Sequence, residues 1–169
     1  LSRPLCRVTA PACRYDAKNA CFEDTSCRPG ACQVNVVIDT SVAVAWYLDE
    51  AFSQEARDWQ QRILSGRVQA MVPGLHYLEF ANVLRTYARR RELARELAED
   101  IYALHVDAPL DIVEPPRASL LAVAVEFDAT VYDAAFISLA QTHDCQLVTA
   151  ERTTTPWVVK LGKLAVTLG

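Results

Sequence analysis

From residue 34 onward, short apolar runs alternate with longer amphipathic stretches. Val34–Ile38 is brief, β-branched and apolar, the pattern of a strand buried on both faces. The stretch Val42 to Leu48 reads as a helix, with Thr40 or Ser41 as its cap. A second helix is predicted from Ser53 to about Leu64, stopped by Ser65-Gly66. Gln69–Val72 is a short strand closed by Pro73-Gly74. Helices follow from His76 to about Arg90 and from Leu93 to about Val106, then a short strand at Asp111–Val113. Pro116 suits the first turn of a helix reaching about Phe127, and another helix runs from Tyr132 to about His143. Gln146–Thr149 and Leu164–Leu168 complete the strands. Strands separated by helices imply an α/β fold with a parallel sheet and helices on both faces.

Composition refines this picture. The chain has 169 residues, 51% of them hydrophobic, enough for one domain with a core and a tail. No apolar run reaches the roughly 18 residues of a membrane span, and residues 1–33 lack the apolar core of a signal peptide. A cytoplasmic protein with no membrane attachment is expected. The net charge of −4 argues against a broadly basic nucleic-acid coat, while leaving room for a local basic rim. Five of the six cysteines, Cys6, Cys13, Cys21, Cys27 and Cys32, lie in the first 33 residues without a C-x-x-C pair. That spacing gives a zinc site little support, and an odd number cannot close a disulfide framework. The composition changes abruptly at Val34. Residues 1–33 are read as a poorly ordered Cys-rich extension, and residues 34–169 as the folded unit.

Four carboxylates occupy the places where an open α/β sheet gathers its chemistry. Asp39 ends the first strand, Glu79 interrupts Leu75–Leu84, Asp133 opens a helix, and Glu151 follows the strand ending at Thr149. Clustered carboxylates repel and stay ionised together only around a cation, and an all-oxygen set suits Mg²⁺ or Mn²⁺. This combination points to metal-assisted chemistry on phosphate esters. Each residue also has an ordinary explanation. Asp39 is a good N-cap. Glu79, Asn82, Thr86 and Arg90 form a stripe that matches a solvent face. Asp133 stands at capping-box spacing from Thr130, and Glu151 could simply open a loop. The joint placement carries the functional reading.

The arginines Arg85, Arg89, Arg90, Arg91 and Arg95 crowd one helix junction, with Glu92, Glu96 and Glu99 as neighbouring partners. They read either as a solvated face or as a rim guiding an RNA backbone. Arg152, beside Glu151, is better placed to touch a phosphate. His76, His105 and His143 lack metal-ligand spacing and are read as structural, and Cys145 as a small buried hydrophobe. No Gly-rich phosphate loop is present.

At these residues the sequence resembles a PIN-domain ribonuclease of the VapC-like toxin group. The carrying segments are Val36-Val37-Ile38-Asp39-Thr40-Ser41-Val42, Pro73-Gly74-Leu75 with Leu78-Glu79-Phe80-Ala81-Asn82, Thr130-Val131-Tyr132-Asp133-Ala134-Ala135-Phe136, and Leu147-Val148-Thr149-Ala150-Glu151-Arg152. The resemblance implies a three-layer α/β/α sandwich and metal-dependent RNA cleavage leaving 5′-phosphate and 3′-hydroxyl ends. It further implies a homodimer and a cognate antitoxin protein. Asp39, Glu79, Asp133 and Glu151 are then the catalytic set, Asp39 and Asp133 the ligands of Mg²⁺ or Mn²⁺, and Thr40, Asn82 and Arg152 the contacts to RNA. Three features depart from the family. Glu151 stands where Asp is usual, Thr153-Thr154-Thr155-Pro156 replaces a more basic helical continuation, and the Cys-rich tail has no counterpart. The alternatives are a binding module of the same fold without turnover and a housekeeping RNA-processing nuclease. A phosphatase of small molecules is disfavoured, because Asp39 is followed by Thr40-Ser41 rather than by a second nearby Asp.

Overall fold

The computed structural model describes residues 34–169; the expectations for residues 1–33, including the Cys-rich extension, lie outside the described residues. Five parallel strands form the central sheet: β1 (Val34–Ile38), β2 (Val68–Val72), β3 (Leu110–Ile112), β4 (Gln146–Thr149) and β5 (Ala165–Thr167). Their spatial order is β3-β2-β1-β4-β5. The chain builds outward from β1 to β3, then returns to the other side of β1 for β4 and β5. The order therefore reverses between β1 and β4, the crevice where such sheets place ligands.

Among the described residues seven α-helices cover the two faces: α1 (Thr40–Val44), α2 (Ser53–Leu64), α3 (Leu75–Arg90), α4 (Arg95–Val106), α5 (Leu120–Phe127), α6 (Val131–Thr142) and α7 (Pro156–Leu161). The two-residue period of each strand divides the core. Val36 and Ile38 of β1, Ala70 and Val72 of β2 and Val148 of β4 pack toward α1–α4, with Phe80, Leu84 and Ile101. Val37, Met71 and Leu147, the intervening positions, pack toward α5–α7, with Phe136, Ile137 and Trp157. The expected α/β/α sandwich is the observed architecture. Among the described residues no helix is long and apolar enough to cross a membrane.

Several boundaries differ from expectation for physical reasons. Asp39, rather than Thr40 or Ser41, caps α1, its carboxylate accepting from the Ser41 N–H. The helix stops at Val44, and turns carry the chain to Leu48. β3 begins at Leu110, one residue early, in register with Ala70. Pro116 precedes a single 3₁₀ turn (Arg117–Ser119) before α5 starts at Leu120. Helix α7 was not expected at all. Pro156 opens it at the first turn, where its missing N–H is harmless, and Trp157, Val158 and Leu161 fill the core.

Candidate active site

The first carboxylate comes from the end of β1. Asp39 N–H donates to Val148 O of β4 at 2.9 Å, continuing the ladder one residue past the strand. Its side chain thus stands over the crevice between β1 and β4. Thr149, fully buried at the end of β4, donates its hydroxyl to Asp39 Oδ2 at 2.6 Å. The same Thr149 oxygen accepts the Glu151 N–H at 3.1 Å. Asp39 Oδ1 accepts the Ser41 N–H at 3.4 Å.

The second carboxylate comes from α3, which Pro73-Gly74 launches from the end of β2. Glu79 is half-buried, and its Oε2 accepts the Thr40 hydroxyl at 2.7 Å. Thr40 is itself buried and lies 3.1 Å from His76 Nδ1. The third comes from the start of α6. Asp133 Oδ2 accepts the Thr130 hydroxyl at 2.7 Å and the Thr130 N–H at 3.2 Å, and Thr130 Oγ1 accepts the Asp133 N–H in return. The capping box foreseen in the sequence is therefore formed.

A single arrangement recurs in all three. One oxygen of each carboxylate is fixed by a threonine hydroxyl, a short charge-assisted bond. Among the described residues nothing donates a hydrogen bond to Glu79 Oε1 or Asp133 Oδ1, while Ser41 bonds the Asp39 carboxylate through both its backbone N–H and its hydroxyl. The three also feel one another. Burial raises the pKa of Asp39 above the ordinary carboxylate value, the bonds from Thr149 and Ser41 oppose this, and the charge of Asp133 adds to it. Burial likewise raises Glu79; the Thr40 bond opposes, and the charges of Asp39 and Asp133 reinforce.

Glu151 stands apart from this group. It is exposed, its Oε2 accepts the Thr155 hydroxyl at 3.1 Å, and it adds no repulsion comparable to Asp133's at Asp39 or Glu79. Its backbone, through Thr149, supports Asp39 instead. Asn82 is exposed one turn beyond Glu79, and Arg152 is exposed beside Glu151. Thr40, expected at the RNA, has its hydroxyl committed inside the protein. Thr149 was missed in the sequence, because a threonine closing a strand looks like any β-branched core residue.

The donor set, all oxygen and mutually repelling, fits a hard divalent cation. Among the described residues no three His, Cys, Asp or Glu side chains already converge on one ion-sized point. A magnesium-like ion keeps several waters and needs only one or two direct carboxylates, so three half-committed carboxylates suit it.

Away from the sheet edge, α3 and α4 enclose a groove of about 570 Å³. Ala81, Leu84, Ala88, Ala98 and Tyr102 line it, and Arg85, Arg89, Arg95 and Glu99 stand along it. The arginine-rich junction is thus partly a groove rim, with Arg95 paired to Glu99 at 2.8 Å.

Residues 36–153 match the PIN domain family. Ribonuclease VapC3 of Pyrobaculum aerophilum is 31% identical over 127 residues, covering 70% of this chain and 91% of that protein. A crystal structure of a Pyrobaculum aerophilum protein superposes with a TM-score of 0.62 at 22% identity, covering 80% of this chain and 92% of that one. A toxin–antitoxin complex from Klebsiella pneumoniae gives 0.51 at 16% identity, covering 78% and 96%. At those two identities the likeness is one of fold.

Proposed function

The chain belongs to the PIN domain family, and from that premise we propose that it is a metal-dependent endoribonuclease acting in the cytoplasm as the toxin of a toxin–antitoxin pair. One observation carries the reading. At the topological switch of a parallel sheet, three carboxylates are each held by a threonine through one oxygen, and the other oxygen of Glu79 and of Asp133 accepts no hydrogen bond among the described residues. The similarity to a ribonuclease of the VapC group supports RNA as the substrate.

Asp39 and Asp133 are the proposed direct ligands of Mg²⁺ or Mn²⁺, with Glu79 on the same ion or on its waters. A bound divalent ion supplies a water of lowered pKa and positive charge against the phosphate. The protein's own part is orientation. Thr149, Thr40 and Thr130 stop the carboxylates from rotating, so that their open oxygens meet incoming charge without reorganisation. Glu151 acts from the margin of this group, and Asn82 and Arg152, both exposed, contact the RNA backbone.

The fold of a toxin–antitoxin complex also supports a protein partner. The groove between α3 and α4 fits an antitoxin segment that is apolar on one side and acidic on the other, matching its alanine and leucine lining and arginine rim. The exposed apolar side of α5, with Leu121 70% and Val125 75% accessible, is the proposed contact between two copies. Residues 34–169 form the catalytic unit.

The second reading, a binding module without turnover, draws on the position of Glu151, which leans on Thr155. Purified protein separates the two. On a defined RNA with Mn²⁺ the nuclease generates new ends and Asp39→Asn abolishes them; a binding module retains RNA affinity without Mn²⁺ and generates none.

A further inference from the structure

His76 and His105 are both fully buried, on α3 and α4 respectively, and their Nε2 atoms lie 2.8 Å apart. They sit among Phe80, Tyr47, Tyr77 and Trp46; the Phe80 ring stacks on His105 with centroids 3.8 Å apart. A purely apolar pair of rings would fill this space without needing hydrogen bonds. The imidazoles instead form one end of an unbroken chain, His105 Nε2 to His76 Nε2, His76 Nδ1 to Thr40 Oγ1, and Thr40 Oγ1 to Glu79 Oε2.

Counting protons gives that chain a direction. A hydroxyl has one proton, and the 2.7 Å contact to the Glu79 carboxylate uses it. Thr40 Oγ1 then accepts from His76, whose proton is on Nδ1. His76 Nε2 is left bare, so the 2.8 Å contact is donated by His105 Nε2–H. His105 Nδ1 ends the chain as a bare acceptor, and it is indeed a buried atom with no hydrogen-bond partner among the described residues. Reversing every bond would make that atom an orphaned buried N–H. The only other unpartnered buried side-chain polar atom among the described residues is Trp46 Nε1, an obligate donor, on a ring 5.8 Å from that of His105. A second orphaned donor beside it is the costlier state. The reversed chain also requires Glu79 to be protonated.

We infer that His76 and His105 are positioning residues: as a neutral pair of opposite tautomers they aim the Thr40 hydroxyl at Glu79, and so present Glu79 as an ionised carboxylate with Oε1 open. Neither histidine touches substrate or ion; both act through Thr40. Their role in catalysis rests on the nuclease reading above. Burial works in the same sense, lowering His76 to about 3 and His105 to about 4 and so keeping both rings neutral.

Long-range ¹H–¹⁵N correlation spectra of the full chain at pH 7 report each tautomer directly. The expected result is His76 protonated on Nδ1 and His105 on Nε2. The same tautomer on both rings, the two tautomers exchanged, or a charged ring at either position overturns the inference. A second arm uses His105→Phe, Thr40→Val and Thr40→Ser, with Mn²⁺ affinity measured by titration and RNA cleavage by initial rates. His105→Phe and Thr40→Val are each expected to weaken Mn²⁺ binding and lower kcat by about ten-fold, with KM for RNA unchanged. Thr40→Ser restores what Thr40→Val loses, and combining His105→Phe with Thr40→Val costs no more than Thr40→Val alone. Wild-type Mn²⁺ affinity in a folded His105→Phe variant would assign the pair a packing role only. If the wild-type chain cleaves no RNA, the nuclease reading fails, while the tautomers and the Mn²⁺ titration still decide the positioning role.

Discussion

Threonine hydroxyls set the behaviour of the acidic site. Thr149 and Asp39 are 110 positions apart in sequence and joined by a 2.6 Å bond. Replacing Thr149 by the near-isosteric Val removes that bond and leaves the packing intact. The expected outcome is a 10- to 100-fold fall in kcat with a folded protein, measured by initial rates alongside a thermal melt. Asp39→Asn goes further. It abolishes cleavage and raises the thermal midpoint of the metal-free protein, because it removes a half-buried charge that Asp133 repels. Asp39 stood out because it follows a strand and Asp133 because it opens a helix, whereas Glu79, inside α3, lay on what looked like a solvent stripe. Their anchors were less readable. Thr130 showed in its capping-box spacing, Thr40 looked like an RNA contact, and Thr149 looked like core. Hydrogen bonds between residues so distant in the chain leave no periodic trace in the sequence. Of the three histidines read as structural, His76 and His105 are buried and bonded while His143 is exposed at the end of α6; the chain from His105 to Glu79 was not readable from spacing.

The histidine pair also ties α3 to α4 and makes the joint sensitive to acid. In the folded state the rings titrate near 3 and 4, against 6.5 when unfolded. Between those values only the unfolded chain takes up protons, so the stability they confer is complete above pH 6.5 and lost as pH falls toward about 4. Asp39 and Glu79, held above their ordinary values, act in the opposite sense. The thermal midpoint of wild type should therefore fall between pH 7 and pH 4.5 more steeply than that of His105→Phe; equal slopes would contradict the assignment. The same two helices form the arginine-rimmed groove. Arg85→Glu with Arg89→Glu reverses the rim and is expected to slow antitoxin association, most at low salt, in surface plasmon resonance, while leaving RNA cleavage in place. At this scale the strands and long helices were legible because period-2 and period-3.6 patterns are strong. Helix α7 was not, since its six residues, Pro156–Leu161, carry too few turns to show a period.

For the molecule as a whole, the sheet order β3-β2-β1-β4-β5 brings β1 and β4 together at their C-terminal ends, and the acidic site follows from that adjacency. The alternation of strands and helices predicted a parallel sheet; the order of its strands is a tertiary choice that leaves no mark in the local pattern. Association of two copies belongs to this scale too. Leu121→Glu on α5 is expected to turn a dimer into a monomer in sedimentation velocity, with the far-ultraviolet circular dichroism unchanged. The central claim is that the threonine-anchored carboxylates serve a divalent ion in cutting RNA. It is tested most directly by incubating the chelated full chain with a defined RNA, with and without added Mn²⁺, beside Asp39→Asn, and mapping the ends. Cleavage is expected only with Mn²⁺ and only by wild type, leaving 5′-phosphate and 3′-hydroxyl ends. Cleavage that persists without metal, or at an undiminished rate in Asp39→Asn, would contradict the claim.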